Sequence, residues 1–208
     1  GPFGGGGGGG RVAAATAVVV AELWRYPVKS MRGERLAETP VVPSGFPGDR
    51  RLAFTTGGRL VTARHDRRLL NQPPSRRPDF PYAVVEEPAG IFDHHPLLLV
   101  NLASVAALAA IAGREVDHRR FRANVYLEGT AAEEERRWPG RRLRLGSARL
   151  EAVELCERCV VATLHPDTLE EAPDLLRVIL AARGGMMGVY CRVAEPGYVV
   201  TGDECEPL

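Results

Sequence analysis

Along the first part of the chain, apolar and polar positions come in short runs broken by glycine and proline. Val18-Val19-Val20-Ala21-Glu22-Leu23-Trp24-Arg25-Tyr26 is β-branched and aromatic and stops at Pro27, which predicts a strand. Shorter apolar runs follow at 39–42, 51–55, 60–62 and 82–86, separated by Pro43-Ser44-Gly45, Pro47-Gly48, Gly57-Gly58 and Pro73-Pro74. Strands this short, closed by such turns, predict a barrel or a sandwich. Near residue 93 the texture changes. Asn101 opens an alanine- and leucine-rich stretch that ends at Gly113, with N-cap chemistry at one end and a C′ glycine at the other, so a helix is expected.

Beyond that helix, 122–128 is strand-like. Leu143, Leu145, Ala148 and Leu150 alternate with Arg142, Arg144, Ser147 and Arg149 around Gly146, the pattern of a hairpin with one polar face. A second helix is expected from Asp174, as N-cap, to Ala182, ended by Gly184 and Gly185. Val189, Cys191 and Val193 then share a face, and Glu195-Pro196-Gly197 turns into Tyr198-Val199-Val200, which reads as a terminal hairpin. The fold class expected is mainly β, with a few short helices. The glycine run up to Gly10 has no apolar surface with which to repay its ordering entropy, so 1–16 is expected to be a disordered tail.

Composition narrows the function. The 208 residues carry 27 basic and 26 acidic side chains, a net charge of +1, so no overall basic field draws the chain to nucleic acid. Almost all the cations are arginine; Lys29 is the one lysine. Four cysteines without a secretory leader predict reduced thiols in a cytoplasmic protein. The longest apolar stretch, 96–112, is short for a bilayer and contains Asn101 and Ser104, so no membrane span is expected. No Lys-Ser/Thr ending follows Gly57-Gly58, and there is neither a G-x-G-x-x-G after a strand nor a G-x-S-x-G, which removes the common nucleotide loops and the serine-hydrolase elbow.

The chemistry concentrates at Cys156-Glu157-Arg158-Cys159. A guanidinium beside a cysteine favours the thiolate, the form that ligates metals and attacks electrophiles. From the residues alone the pair admits a redox dithiol, half of a zinc site, a single thiolate ligand for a cofactor metal, or a cysteine that only fills core. Cys191 and Cys205 are not spaced as a second zinc knuckle. Basic residues at strand ends, namely Lys29, Arg50, Arg64, Arg120 and Arg122 with Asn124 nearby, have the donor geometry that a phosphate needs, or are solvated surface charges. His94-His95 on an extended segment should point to opposite sides.

Taken in order, several runs resemble one family. Leu23 to Ser30 (Leu-Trp-Arg-Tyr-Pro-Val-Lys-Ser), Gly48-Asp49-Arg50-Arg51 and Val61-Thr62-Ala63-Arg64 are similar to motifs of the N-terminal β-barrel that precedes MOSC domains. Arg120-Phe121-Arg122-Ala123-Asn124, Trp138-Pro139-Gly140-Arg141, and Arg158-Cys159 through Thr163 to Pro166-Asp167-Thr168 resemble those of the MOSC domain itself, as do Gly188-Val189-Tyr190 and 196–203. Two positions depart from the pattern, Ala123 for a proline and His165 for an aspartate. The resemblance implies an N-terminal barrel over 17–92 and a MOSC domain over 93–208. It further implies a protein that binds the molybdenum cofactor, akin to the mitochondrial amidoxime-reducing components and the bacterial reductases of N-hydroxylated compounds. By it Cys159 would be the metal ligand and catalytic residue, and Lys29, Arg50, Arg122, Asn124, Arg158 and Thr163 would hold the cofactor. A small N-hydroxylated substrate and a separate electron donor, of ferredoxin type or cytochrome b5 type with its reductase, follow from the same likeness. No haem, flavin or iron–sulfur cluster is expected in the chain. The open alternative is a non-enzymatic module that carries the cofactor or sulfur.

Overall fold

The computed structural model describes residues 17–75 and 81–208; the glycine tail lies outside them. The structure is mainly β. The described residues form thirteen strands: β1 (Val19–Arg25), β2 (Glu34–Leu36), β3 (Glu38–Val41), β4 (Leu52–Thr56), β5 (Arg59–Val61), β6 (Ala83–Glu86), β7 (Leu97–Asn101), β8 (Val125–Glu128), β9 (Arg142–Leu145), β10 (Ala148–Glu157), β11 (Met186–Glu195), β12 (Gly197–Val200) and β13 (Cys205–Pro207). The two α-helices among the described residues are α1 (Leu102–Ala112) and α2 (Pro173–Arg183).

Eight strands form one curled sheet in the order β13-β9-β10-β11-β7-β8-β1-β2. Every neighbouring pair is antiparallel except β7 and β8, which α1 joins as a parallel crossover. On one face of this sheet, alternate side chains from seven of its strands meet Trp138 and Phe46 in a barrel-like core. On the other, α1 and α2 cover Leu98, Val100, Tyr126 and Cys156. β7 therefore lies between two apolar layers, with Leu97 and Leu99 facing one and Leu98 and Val100 the other. That is why its sequence is a continuous apolar run with no strand alternation, and why 96–112 divides into a buried strand and a helix. No helix among the described residues is long and apolar enough to cross a membrane.

Local expectations about helix ends hold at α1, where the Asn101 side chain accepts from the Ala103 N–H and Gly113 closes the helix at φ 64°. At α2 the start shifts by one residue. Pro173 takes the first turn with Ala172 before it, so Asp174 lies inside the helix instead of capping it. Two strand expectations change. Residues 118–121 form a 3₁₀ turn capped by Arg122 in the left-handed region, and β8 begins only at Val125. The C-terminal hairpin does not form, because β12 pairs with β3, more than 150 residues earlier. A turn signal reports a change of direction, and the partner is chosen by long-range packing.

The sheet also runs across the boundary at 92/93. β1 and β2 extend it from β8, with Leu23 opposite both Val125 and Leu36. β3 pairs with β12, and the other three N-terminal strands make a small sheet, β5-β4-β6, around Phe54, Val61 and Leu69. Lys29 N–H donates to Leu52 O at 2.7 Å and anchors this small sheet beside the end of β1.

Candidate active site

Where the small sheet meets the open ends of β1, β7, β10 and β11, a cavity of about 380 Å³ opens. Lys29, Arg50, Arg122, Asn124, Arg158 and Cys159, six of the residues singled out from the sequence, line it. Thr163 does not. It is buried in the turn after Cys159, where its hydroxyl donates to Val160 O at 2.7 Å and its carbonyl accepts from Arg120 Nη1 at 2.7 Å. Arg120, drawn from the sequence as a phosphate donor or a surface charge, is thus a buried brace for the cysteine loop.

The cavity wall is built by loops under conformational constraint. Five non-glycine residues among those described have positive φ, and three of them, Ser30, Arg50 and Arg122, line the cavity. Such backbone persists only where neighbours over-determine it, and it gathers at functional sites. At the centre is Asn124, which is fully buried. Its Oδ1 accepts from Leu98 N–H and Arg50 Nη1, both at 3.2 Å, and its Nδ2 donates to Asp49 Oδ2 at 3.1 Å and Trp24 O at 3.2 Å. Asp49 also accepts from Tyr26 N–H at 2.7 Å and Arg50 Nη1 at 2.5 Å. Arg50 Nη2 reaches Arg122 O at 3.0 Å.

Cations dominate the electrostatics. The Tyr26 ring lies under both Arg50 and Arg122, 4.8 and 4.4 Å from their guanidinium carbons. Burial pushes its phenol up to about 12, against the opposing pull of the two arginines. Burial beside Arg50 pushes Arg122 down to about 10. The Arg122 side chain makes no ion pair with a carboxylate among the described residues, so it presents an uncompensated charge to the cavity. Lys29 is held by Ile91 O at 3.0 Å and by Asp93 Oδ1 at 2.7 Å. Burial works against the ionised form of Asp93, but Lys29 and then Arg50 and Arg64 outweigh it and hold the carboxyl below its usual range.

The cysteine loop brings a correction. Arg158, the sequence neighbour of Cys159, turns away from it and donates from Nη1 to Cys156 Sγ at 2.9 Å and from Nη2 to Phe121 O at 2.9 Å. Its Nε is buried with no protein acceptor. Arg64, which also lines the cavity, lies close enough to Cys159 for the sulfur to raise the arginine's proton affinity further. Cys159 itself is half-buried and begins the 3₁₀ turn Val160–Thr163, while Cys156 is buried at the end of β10. Tyr190 contacts Cys156; burial first and that sulfur second push its phenol upward. The sequence offers Arg64 as a phosphate donor or a surface charge and not as a neighbour of the cysteine, and it does not select Asp93 or Tyr190. His94 and His95 also depart from expectation. Their segment is irregular, so alternation does not separate them, and both meet Glu154 and Tyr190. Cys191 and Cys205 lie in the barrel core, where burial raises both thiols, well away from this loop.

The donor set tests what could fill the cavity. The unpaired guanidinium of Arg122, with Arg50 and Lys29 beside it, suits an anionic, hydrogen-bonding group such as a phosphorylated pterin. A half-buried thiol under a second guanidinium suits a soft metal. No group of three or more His, Cys, Asp and Glu among the described residues could form a metal cage of protein ligands alone, so a metal here would need further ligands from a cofactor.

Comparison with known proteins agrees. Residues 86–206 match the MOSC domain, and residues 17–76 match the MOSC N-terminal beta barrel domain. The chain is 26% identical over 154 residues to mitochondrial amidoxime-reducing component 1 of Homo sapiens, covering 65% of this chain and 45% of that protein. It is 33% identical over 112 residues to molybdenum cofactor sulfurase of Caenorhabditis briggsae, covering 50% and 16%. It thus spans less than half the length of either. Among solved structures, the YuaD protein of Bacillus subtilis superposes with a TM-score of 0.59 at 19% identity, covering 91% of this chain and 94% of that one, a likeness of fold. With more than half of its length matched by the domain model, and the cysteine loop inside that match, the chain belongs to the MOSC-domain family.

Proposed function

We propose that the protein binds the molybdenum cofactor in this cavity and reduces N-hydroxylated small molecules there, with electrons from a separate donor protein. The observation that carries the reading is the pairing, in one cavity, of an available thiol, Cys159, with the cationic donors Lys29, Arg50 and Arg122, of which Arg122 has no carboxylate partner among the described residues. The substrate class comes from the likeness to the amidoxime-reducing component. When bound, the cofactor would supply a molybdenum centre that exchanges two electrons.

The chain's own residues do the rest. Cys159 would provide the protein ligand to the metal, with Arg64 lining the cavity beside it. Lys29, Arg50 and Arg122 take the phosphate end, with Asn124 and Asp49 fixing Arg50. Arg158 would hold the wall beneath the cofactor through its bonds to Cys156 Sγ and Phe121 O. Thr163 serves by shaping the Cys159 turn.

The test is expression in a host that makes molybdenum cofactor, with molybdenum and released pterin measured per chain for wild type and Cys159→Ala. Near-stoichiometric metal in wild type, lost in the variant, together with reduction of benzamidoxime to benzamidine, is expected. Wild-type protein that folds but holds neither metal nor pterin would refute the reading. A tightly held cofactor that reduces nothing would favour a carrier role, for which the sulfurase likeness is the supporting observation.

A further inference from the structure

His94 and His95 lie at the rim of the cavity that contains Cys159. His94 Nδ1 is 2.9 Å from Glu154 Oε1, and His95 Nε2 is 3.5 Å from the same oxygen. The His94 ring also stacks on Tyr190, with centroids 5.5 Å apart and planes 13° apart, while His95 tilts against that ring at 6.0 Å. One carboxylate and one aromatic face therefore fix the plane of the His94 imidazole. Its Nε2 makes no hydrogen bond to the described residues.

We propose that His94, oriented by Glu154 and by its stack on Tyr190, donates the proton that lets the oxygen of an N-hydroxylated substrate leave as water. The proposal rests on the function proposed above. In the overall step the N–O bond breaks, two electrons come from the reduced molybdenum cofactor, and two protons are taken up. One proton comes from His94 Nε2 to the departing oxygen; the other comes from solvent to nitrogen. The products are the N–H compound and water, and His94 is reprotonated from the solvent that its exposed edge meets.

Chemistry of the lining favours this residue. Lys29 and the arginines Arg50, Arg64, Arg122 and Arg158 bind anions and are weak acids. Asp93 is kept ionised by Lys29, and Tyr190 holds its proton too tightly to give it up near neutrality. Imidazole is the side chain whose ordinary proton affinity is matched to this task. Glu154 from β10 faces Nδ1, Tyr190 from β11 faces the ring, and His95 and Asp93 flank it in its own segment. An Nδ1–H donated to a carboxylate fixes the tautomer and leaves Nε2 as the position that exchanges protons. Glu154 thus acts as a positioning residue through His94.

The experiment compares molybdenum-loaded wild type, His94→Gln and Glu154→Gln. Metal per chain, kcat and KM for benzamidoxime across pH 5.5–8.5 (~3 units, spanning the imidazole range), and carbethoxylation of His94 by diethyl pyrocarbonate with and without benzamidoxime are measured. The expected result is metal content unchanged in both variants and kcat lowered about 100-fold or more in His94→Gln with little change in KM. Glu154→Gln should lower kcat about tenfold with little change in KM, as expected of a residue that acts through His94. In wild type, benzamidoxime should protect His94 from the reagent. His94→Gln working within threefold of an active wild type, or His94 modified at the same rate with and without ligand, would overturn the assignment of this residue alone. A wild type that binds molybdenum but reduces nothing would instead overturn the proposed function, and this inference with it.

Discussion

Asn124 offers the sharpest test of how the cavity is held together. Its amide uses both acceptor positions and both donor hydrogens on four different residues, and it is fully buried. Asn124→Ala would leave the Leu98 N–H, inside the doubly covered strand β7, without its acceptor, and would strip a donor from Asp49 and from the Trp24 carbonyl. One orphaned buried donor costs about 1–3 kcal/mol, and each lost bond to a partner that keeps others about 1 kcal/mol. The expected loss is about 3–5 kcal/mol out of the ~5–15 kcal/mol that holds a domain folded. Urea denaturation followed by circular dichroism at neutral pH, with an unchanged slope, measures it. Asn124→Asp sharpens the argument because the shape is kept and the Nδ2 donor, 3.1 Å from Asp49 Oδ2, becomes an acceptor. Two carboxylates so close cannot both ionise cheaply, so the introduced carboxyl has a folded-state pKa above its unfolded value of about 3.9. Its stabilising protonated form is fully present below that unfolded value and is lost as pH rises through the folded one. The deficit relative to wild type should therefore grow from pH ~4 to pH ~7. A loss below about 1 kcal/mol for Asn124→Ala, or a pH-independent deficit for Asn124→Asp, would refute the hub.

Other consequences follow from neighbouring contacts. Arg64→Ala should slow alkylation of Cys159 by iodoacetamide several-fold near neutral pH, whereas Arg158→Ala should change it less, since Arg158 is bonded to Cys156; peptide mass mapping separates the two thiols, and the opposite order would show the pairing to be wrong. A Cβ added at Gly33 would lie 2.5 Å from Tyr26 Cε1, so Gly33→Ala should displace the ring beneath Arg50 and Arg122 and weaken cofactor retention more than thermal stability. Retained pterin per chain and the melting temperature are the paired readouts. Asp167 bridges Arg32 and Arg119, and Asp117 pairs with Arg119 and His165. Burial opposes ionisation of both carboxyls, but Arg119 outweighs it and holds them below their usual range. Their stabilisation is present above the unfolded carboxylate pKa of about 3.9 and is lost as pH falls through the lower folded values. Asp167→Asn should then cost about 1 kcal/mol near neutrality, after allowance for solvent screening of this partly exposed pair, and the gap should close in acid. Denaturation midpoints at pH ~7 and pH ~3 decide it.

Much of the molecule was legible in the sequence because it rests on local physics. The β-branched run ending at Pro27 became β1, the alternation around Gly146 became the β9–β10 hairpin, and Asn101 and Gly113 bound α1. The motifs also identified six residues that meet in one cavity, because each motif is a loop whose short-range geometry presents its own side chain. What the tertiary structure decided was which partner each group found. Although adjacent to Cys159 in the chain, Arg158 bonds to Cys156, and the guanidinium brought to the cavity beside Cys159 is that of Arg64, 95 residues away. β12 left its apparent hairpin for β3, and the two histidines met on one carboxylate because their segment is not a strand. Local sequence sets backbone preference and side-chain chemistry. The long-range closure of the sheet sets the distances between groups, and at this site those distances determine which cysteine has the guanidinium beside it.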